Sequence, residues 1–244
     1  MIGPVSREFV LVHGMSHGGW AWELLARRLE RDGHRVVAPD LPGHGRRAHE
    51  RRRASLATYA RAVADAAIQA GFSRATIVGH SMGGAVLPGV AALIPARIAH
   101  LVFLAAVVPD HGATTLQGHI TPAGAQMLRG LARAGDGAVQ YPALFEWARW
   151  MGDLPLGDPR VSETLPRLTP QPLRPLTERV DMRCFHALRV PCTYIRCRDD
   201  AAIVPARAAE YAARLGVTPI DLDCAHNPML SAVDELAKIL TKLP

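Results

Sequence analysis

The sequence predicts an α/β fold, with a mostly parallel sheet flanked by helices and an inserted helical cap. Two observations carry this. Short, nearly continuous apolar runs alternate with segments of helical period at both ends of the chain, as expected for strands buried beneath helices. From about His111 to His186 the strand pattern disappears, and proline and glycine punctuate short helical stretches instead. The core is therefore expected over residues 1–110 and 187–244, and the cap over 111–186.

In chain order, Phe9–Val12 is the first apolar run, followed by a helix with Trp22, Leu25, Ala26 and Leu29 on one face. Val36–Ala38 is the second strand, and Leu56, Tyr59, Ala60 and Val63 repeat the i, i+3, i+4, i+7 spacing. Ala75–Val78 leads into a helix-compatible run, Ala85 to Leu93, which Pro88 is expected to kink. Leu101–Ala105 closes the first half. In the cap, Thr121–Arg133 and Ala143–Met151 read as helices and Leu154–Pro175 as turn-rich chain. Thr193–Ile195 resumes the sheet, Ala208, Tyr211, Ala212 and Leu215 form a helix face, and Ile220–Leu222 is the last strand. Val233, Leu236, Ala237 and Leu240 define the final helix, with Ser231 as its N-cap and Asp234 three residues on.

Hydrophobic residues make up 49% of the chain and charged residues 20%, an ordinary globular balance. At 244 residues such a chain can bury a core without disulfides or a structural metal. No run approaches the roughly 18 apolar residues that span a bilayer. The apolar run after Met1–Arg7 is too short for a signal-peptide core, so a cytoplasmic protein with no membrane association is expected. Cys184, Cys192, Cys197 and Cys224 form no C-x-x-C pair, and three of them lie in or beside predicted strands as small buried hydrophobes.

The formal net charge is +6, nearly all of the basic residues being arginine because Lys238 and Lys242 are the only lysines. One dense cluster, Arg46-Arg47 with Arg51-Arg52-Arg53, has no interleaved aromatic residue and no nucleic-acid module around it. It reads as an exposed, solvated loop. An acidic carrier protein is the weaker alternative partner, and nucleic acid is not expected.

The chemistry concentrates at Gly79-His80-Ser81-Met82-Gly83, a G-x-S-x-G run directly after the strand Ala75–Val78. A serine there sits on a tight strand-to-helix turn with its hydroxyl held out from the sheet edge. Its hydroxyl needs a base, and the base a carboxylate to orient it. His226 alone of the 11 histidines follows the last predicted strand and precedes the last helix. Asp199 and Asp200 follow the strand Thr193–Ile195, and either can supply the acid; Asp110, after Leu101–Ala105, is an alternative position. Asp40 reads as a turn residue.

Negative charge developing on a substrate carbonyl needs backbone N–H donors already in place. Met82, next to the serine, is one candidate. The loop His13-Gly14-Met15-Ser16-His17-Gly18-Gly19-Trp20 is expected to bring the other, with Gly14 and His17 bordering the substrate. A metal site at His13 and His17 lacks a third ligand with sensible spacing.

Three segments, His13-Gly14 with His17–Trp20, Pro39–Gly45 and Gly79–Gly84, resemble the α/β-hydrolases. The resemblance is greatest to the branch of plant methyl-ester esterases and hydroxynitrile lyases with their bacterial relatives. It covers roughly Phe9–Val108 and Pro191–Leu243 and is weak across the cap. It implies the α/β-hydrolase fold, Ser81 as nucleophile, His226 as base, Asp200 as acid (two residues before an Ala-Ile pair and just ahead of Pro205) and Met15 and Met82 as oxyanion donors. The lyases of this branch carry threonine in place of Gly14 and lysine in place of Asn227, so this chain resembles the esterases more. It also lacks the methionine that follows the histidine in the plant enzymes.

The expected function is hydrolysis of a small-molecule carboxylic ester through an acyl-enzyme, with no cofactor or metal. The cap is expected to set the substrate, with Trp147, Trp150, Phe145, Met127 and Met151 as candidate apolar walls. Lyase, cyclase or carrier-acyl thioesterase chemistry on the same constellation, or ligand binding without turnover, are the rival readings. Oligomeric state is not legible in the sequence.

Overall fold

The computed structural model describes residues 6–117 and 119–244. The reading of the N-terminal segment as a lead-in to the first strand falls in part on Met1–Val5, outside them. Eight strands are described: β1 (Glu8–Val12), β2 (Arg35–Val37), β3 (Ala75–His80), β4 (Ile98–Leu104), β5 (Ala138–Val139), β6 (Gln171–Pro172), β7 (Cys192–Cys197) and β8 (Ile220–Leu222). Six of them form one sheet in the order β2-β1-β3-β4-β7-β8, every neighbouring pair parallel.

The continuous apolar runs follow from burial on both faces. Side chains alternate across a strand, so Val10 and Val12 join a cluster with Tyr59, Val63, Ile77 and Phe103 on one face. Phe9 and Leu11 meet Leu25, Leu29, Leu236 and Leu240 on the other. The edge strands differ from expectation: Arg35, Ile220 and Asp221 are exposed, because β2 and β8 have a neighbour on one side only.

The strand β3 runs two residues past its apolar signal. Gly79 and His80 pair with Phe103 and Leu104 of β4, which carries the chain up to Ser81 within the ladder. Pro88 causes no kink. A short 3-10 turn, Ser81–Ala85, comes first, and Pro88 then falls in the first turn of a separate helix, Leu87–Leu93, where no N–H is missed. Ser231 does not cap the last helix; it closes the short helix Pro228–Ser231, and Ala232 breaks the chain before Val233–Lys242. Ser55 and Thr58 form a capping box that starts Leu56–Gln69.

Between β4 and β7 the chain builds the helices Pro122–Ala134, Ala143–Trp150, Pro159–Thr164, Arg174–Thr177 and Arg183–Leu188. Thr121 caps the first of them through Gly124 N–H (3.1 Å). The sequence shows no strand here, yet β5 and β6 pair antiparallel, two residues each. All four cysteines are free; of the three in or beside predicted strands Cys197 and Cys224 are buried and Cys192 only half-buried, and Cys184, outside them, is exposed.

One buried charge in this segment has a measurable consequence. Glu146 is 2% exposed and its Oε1 has no hydrogen-bond partner among the described residues. Burial pushes its carboxyl up to about 7. The folded state therefore holds a proton that the unfolded chain releases near the ordinary carboxylate value, so stability falls as pH rises from about 4.5 through about 7. Glu146→Gln is expected to remove that slope and to stabilise the protein above pH 7 by up to about 3 kcal/mol. Thermal unfolding of both proteins between pH 4 and 9 checks this.

Candidate active site

Ser81 follows β3 directly and takes φ +53, a left-handed conformation that a residue with a Cβ adopts only under constraint. Its carbonyl accepts the Val107 N–H (3.0 Å), which ties the turn to the chain beyond β4. Gly79 leaves room for the reversal, since a Cβ there would lie 2.9 Å from the Gly83 carbonyl oxygen. The sharp turn is thus built from a strand end and close backbone approach.

A continuous relay leads inward from this serine. His226 Nε2 is 2.9 Å from Ser81 Oγ, and His226 Nδ1 is 2.7 Å from Asp200 Oδ2. The other carboxylate oxygen, Oδ1, accepts the N–H groups of Ala202 and Ile203, both at 2.7 Å. His226 and Asp200 are both buried. Asp199 is exposed and Asp110 pairs with Arg214 at 3.1 Å, so among the described residues Asp200 is the one of the three candidate acids that bonds His226. The Asp200 carboxylate fixes the Nδ1–H tautomer of His226 and leaves Nε2 free to accept the serine proton.

Neutral histidines hold this relay in place. His80 Nε2–H donates to the His226 carbonyl (2.8 Å). His17 Nδ1–H donates to the Met15 carbonyl (2.6 Å), and its Nε2 accepts from the Asn227 amide (3.1 Å). His13 Nδ1–H donates to the Gly14 carbonyl (2.8 Å), while Nε2 accepts the Leu41 N–H (3.1 Å). Burial pulls His13 down to about 4 and His17 to about 3, and holds His80 and His44 well below the usual imidazole range. His13 and His17 therefore serve as hydrogen-bonded struts of the first loop.

The cap supplies further struts. Gln171 Oε1 accepts the Ser16 N–H (3.1 Å), Thr169 N–H donates to the Ser16 carbonyl (2.8 Å), and Asp153 accepts the Ala225 N–H (2.8 Å). Asp40 does more than turn the chain: it accepts N–H groups of Gly19 and Arg46. Burial opposes its charge, but those donors hold its carboxyl below the usual range.

Ser81 and His226 open onto a narrow cleft of about 70 Å³. Met15, His17 and Trp150 line it as expected, together with Phe145. Trp147 does not; its Nε1–H donates to the Leu154 carbonyl (2.9 Å) and its ring packs within the cap. Met151 is fully buried in the core and Met127 lies exposed, so neither forms a wall. Gly14 also does not line the cleft but abuts Ser81 from behind. The walls that sequence reasoning missed are Leu116, Ile120, Leu128 and Tyr141, with the polar His119 and Arg149. They come from short irregular segments and from helix faces that the cap's own packing selects.

The model of the Alpha/beta hydrolase family matches residues 9–239. The chain belongs to this family. A carbendazim hydrolyzing esterase of Nocardioides sp. (strain SG-4G) is 44% identical over 106 residues, 43% of this chain and 44% of that protein. Salicylic acid-binding protein 2 of Nicotiana tabacum is 39% identical over 108 residues, 43% of this chain and 41% of its own. The matches thus span less than half the length of these relatives. Among solved structures, an extracellular alpha/beta-hydrolase from a Paenibacillus species has a TM-score of 0.88 at 24% identity, covering 97% of this chain and 98% of that one. A pyrethroid hydrolase from Sphingobium faniae JZ-2 has a TM-score of 0.77 at 26% identity, over 97% and 96%.

In this alpha/beta hydrolase the close packing at Gly14 makes a direct prediction. A Cβ there would lie 2.8 Å from Ser81 Cβ and 2.9 Å from His80 Nδ1, so Gly14→Ala must displace the serine or the histidine behind it. Misplacing a reacting group by about 1 Å costs on the order of 10²-fold. Gly14→Ala is expected to lose about that much in kcat on a simple aryl ester while keeping its circular-dichroism spectrum.

The basic cluster is largely engaged. Arg46 pairs with Asp40, Arg47 with Glu50, and Arg51 and Arg52 with Asp136. No helix among the described residues is long and apolar enough to cross a membrane.

Proposed function

We propose that the protein hydrolyses carboxylic esters of compact, largely hydrophobic substrates through an acyl-enzyme at Ser81. The observation that carries this is the Ser81–His226–Asp200 relay, closed at 2.9 and 2.7 Å and opening on an apolar-walled cleft. The esterase and hydrolase names of the relatives support it.

Ser81 Oγ attacks the ester carbonyl carbon as His226 Nε2 takes its proton. The oxyanion that forms is held by the N–H groups of Met15 and Met82; Met82 lies in the first turn of its 3-10 helix, where N–H groups have no intrahelical acceptor. The carbon–oxygen bond to the alcohol breaks, and His226 returns the proton to the leaving alkoxide. Water then attacks the acyl-serine, giving its proton to His226, and the acid leaves as Ser81 is reprotonated. Asp200 stabilises the transient imidazolium throughout. Four free cysteines fit a reducing, cytoplasmic setting for this chemistry.

A cavity of about 150 Å³ accepts a benzene ring, so a cleft of about 70 Å³ suits an acyl group of roughly two to four carbons. The test is a p-nitrophenyl ester series from acetate to octanoate. Hydrolysis highest at acetate to butanoate, and falling at octanoate, is the expected outcome. No release of p-nitrophenol from any member contradicts ester hydrolysis.

A further inference from the structure

Two polar groups on the cap side of the cleft have no part in the proposed reaction. Arg149 lies on the helix Ala143–Trp150, half-buried at the cleft wall. Its guanidinium carries five N–H donors. Among the described residues it makes one hydrogen bond, from Nη2 to the Ala202 carbonyl at 3.4 Å, and no ion pair. Its Cζ stands 5.8 Å from the Phe145 ring centroid. Elsewhere in this segment Arg160 pairs with Asp158 at 2.7 Å and Arg167 with Glu23 at 2.6 Å, while Arg129, Arg133 and Arg179, which have no ion pair among the described residues, are exposed to solvent.

His119 lines the same cleft, and its buried Nδ1 has no hydrogen-bond partner among the described residues. Burial, reinforced by the charge of Arg149, pulls it down to about 4, so the ring is neutral at pH 7. The surrounding wall is apolar, from Leu116, Ile120, Leu128 and Phe145. The Arg149 guanidinium, half-buried at this wall, keeps four of its five donors without a protein acceptor among the described residues and so available to a ligand.

We propose that the ester taken up by this cleft carries a second, free carboxylate, which Arg149 binds as an ion pair. The inference rests on ester cleavage at Ser81. The planar fork of Arg149 matches a carboxylate in two parallel hydrogen bonds. A cleft of about 70 Å³ limits the linker between the two carboxyl groups to a short chain.

The experiment compares two matched ester pairs at low ionic strength. Monomethyl succinate against methyl butanoate places the extra carboxylate on the acyl side, and acetoxyacetate against propyl acetate places it on the alcohol side. For one of the pairs, wild-type kcat/KM is expected to favour the charged ester by about tenfold or more. Arg149→Gln is expected to bring that ratio to about one, with Arg149→Lys keeping part of the preference. A ratio taken on one preparation does not move with the folded fraction. No preference in either pair, or a preference that survives Arg149→Gln, overturns the inference while turnover of the neutral esters leaves the Ser81 reaction standing. Failure to hydrolyse all four esters overturns both.

Discussion

Ser81→Ala is expected to lower kcat/KM on p-nitrophenyl acetate by about 10⁴-fold or more, with little change in stability. The hydroxyl is the atom that bonds to the carbonyl carbon, and among the described residues Ser81 is the one side chain hydrogen-bonded to His226 Nε2. Alanine keeps the Cβ and the same left-handed backbone, so the turn is held by the same contacts, including the Val107 N–H to the residue-81 carbonyl. Residual turnover reports what the oxyanion donors and the cleft contribute alone. A loss of less than about tenfold would mean that Ser81 positions the substrate and does not bond to it.

Asp200→Asn is the second large effect, and the geometry says why a neutral isostere should fail. The Oδ1 atom is fixed by two backbone donors, Ala202 and Ile203, which an asparagine must satisfy with its carbonyl oxygen. The amide NH₂ is then directed at His226 Nδ1, 2.7 Å away in the wild type. An NH₂ there can only donate, so Nδ1 becomes the acceptor and the proton moves to Nε2. His226 would then donate towards Ser81 and could not take its proton. A fall of about 10⁴-fold in kcat follows by analogy with the trypsin-type relay, with KM much less affected. Steady-state kinetics on the same ester decide it; a loss under about tenfold would mean that the tautomer does not matter here.

The core of the fold was legible because its strands are buried on both faces and its helices on one. Phe9–Val12 and Ala75–Val78 declare themselves by unbroken apolar runs, and Leu56 to Val63 by its spacing. Gly79 and His80 were not legible as strand, because nothing in their side chains signals the pairing with Phe103 and Leu104. Ser81 and His226 were legible because the chemistry demands a serine on a tight turn and a histidine beyond the last strand. Between Asp199 and Asp200 the residues alone did not choose; burial and the bond to His226 do.

The chain between β4 and β7 was legible only in outline. Trp147, Met127 and Met151 are as apolar as Trp150, yet packing turns only Trp150 towards Ser81. His119 and Arg149 could not have been found from spacing, since their neighbours in space lie on separate elements: Ala202 follows β7 and Leu128 sits on another helix. The same holds for Gln171, Thr169 and Asp153, which reach across from the cap to brace the Ser16 and Ala225 backbone. These contacts give the cap a structural hold on both loops that flank the serine.

The most direct measurement is covalent labelling with a fluorophosphonate, read by intact mass and peptide mapping. A serine activated by His226 displaces fluoride from phosphorus, so one adduct per chain should form and map to Ser81, and Ser81→Ala should stay unmodified. No adduct on the wild type, or an adduct mapping to a residue other than Ser81, would contradict nucleophilic catalysis at this site.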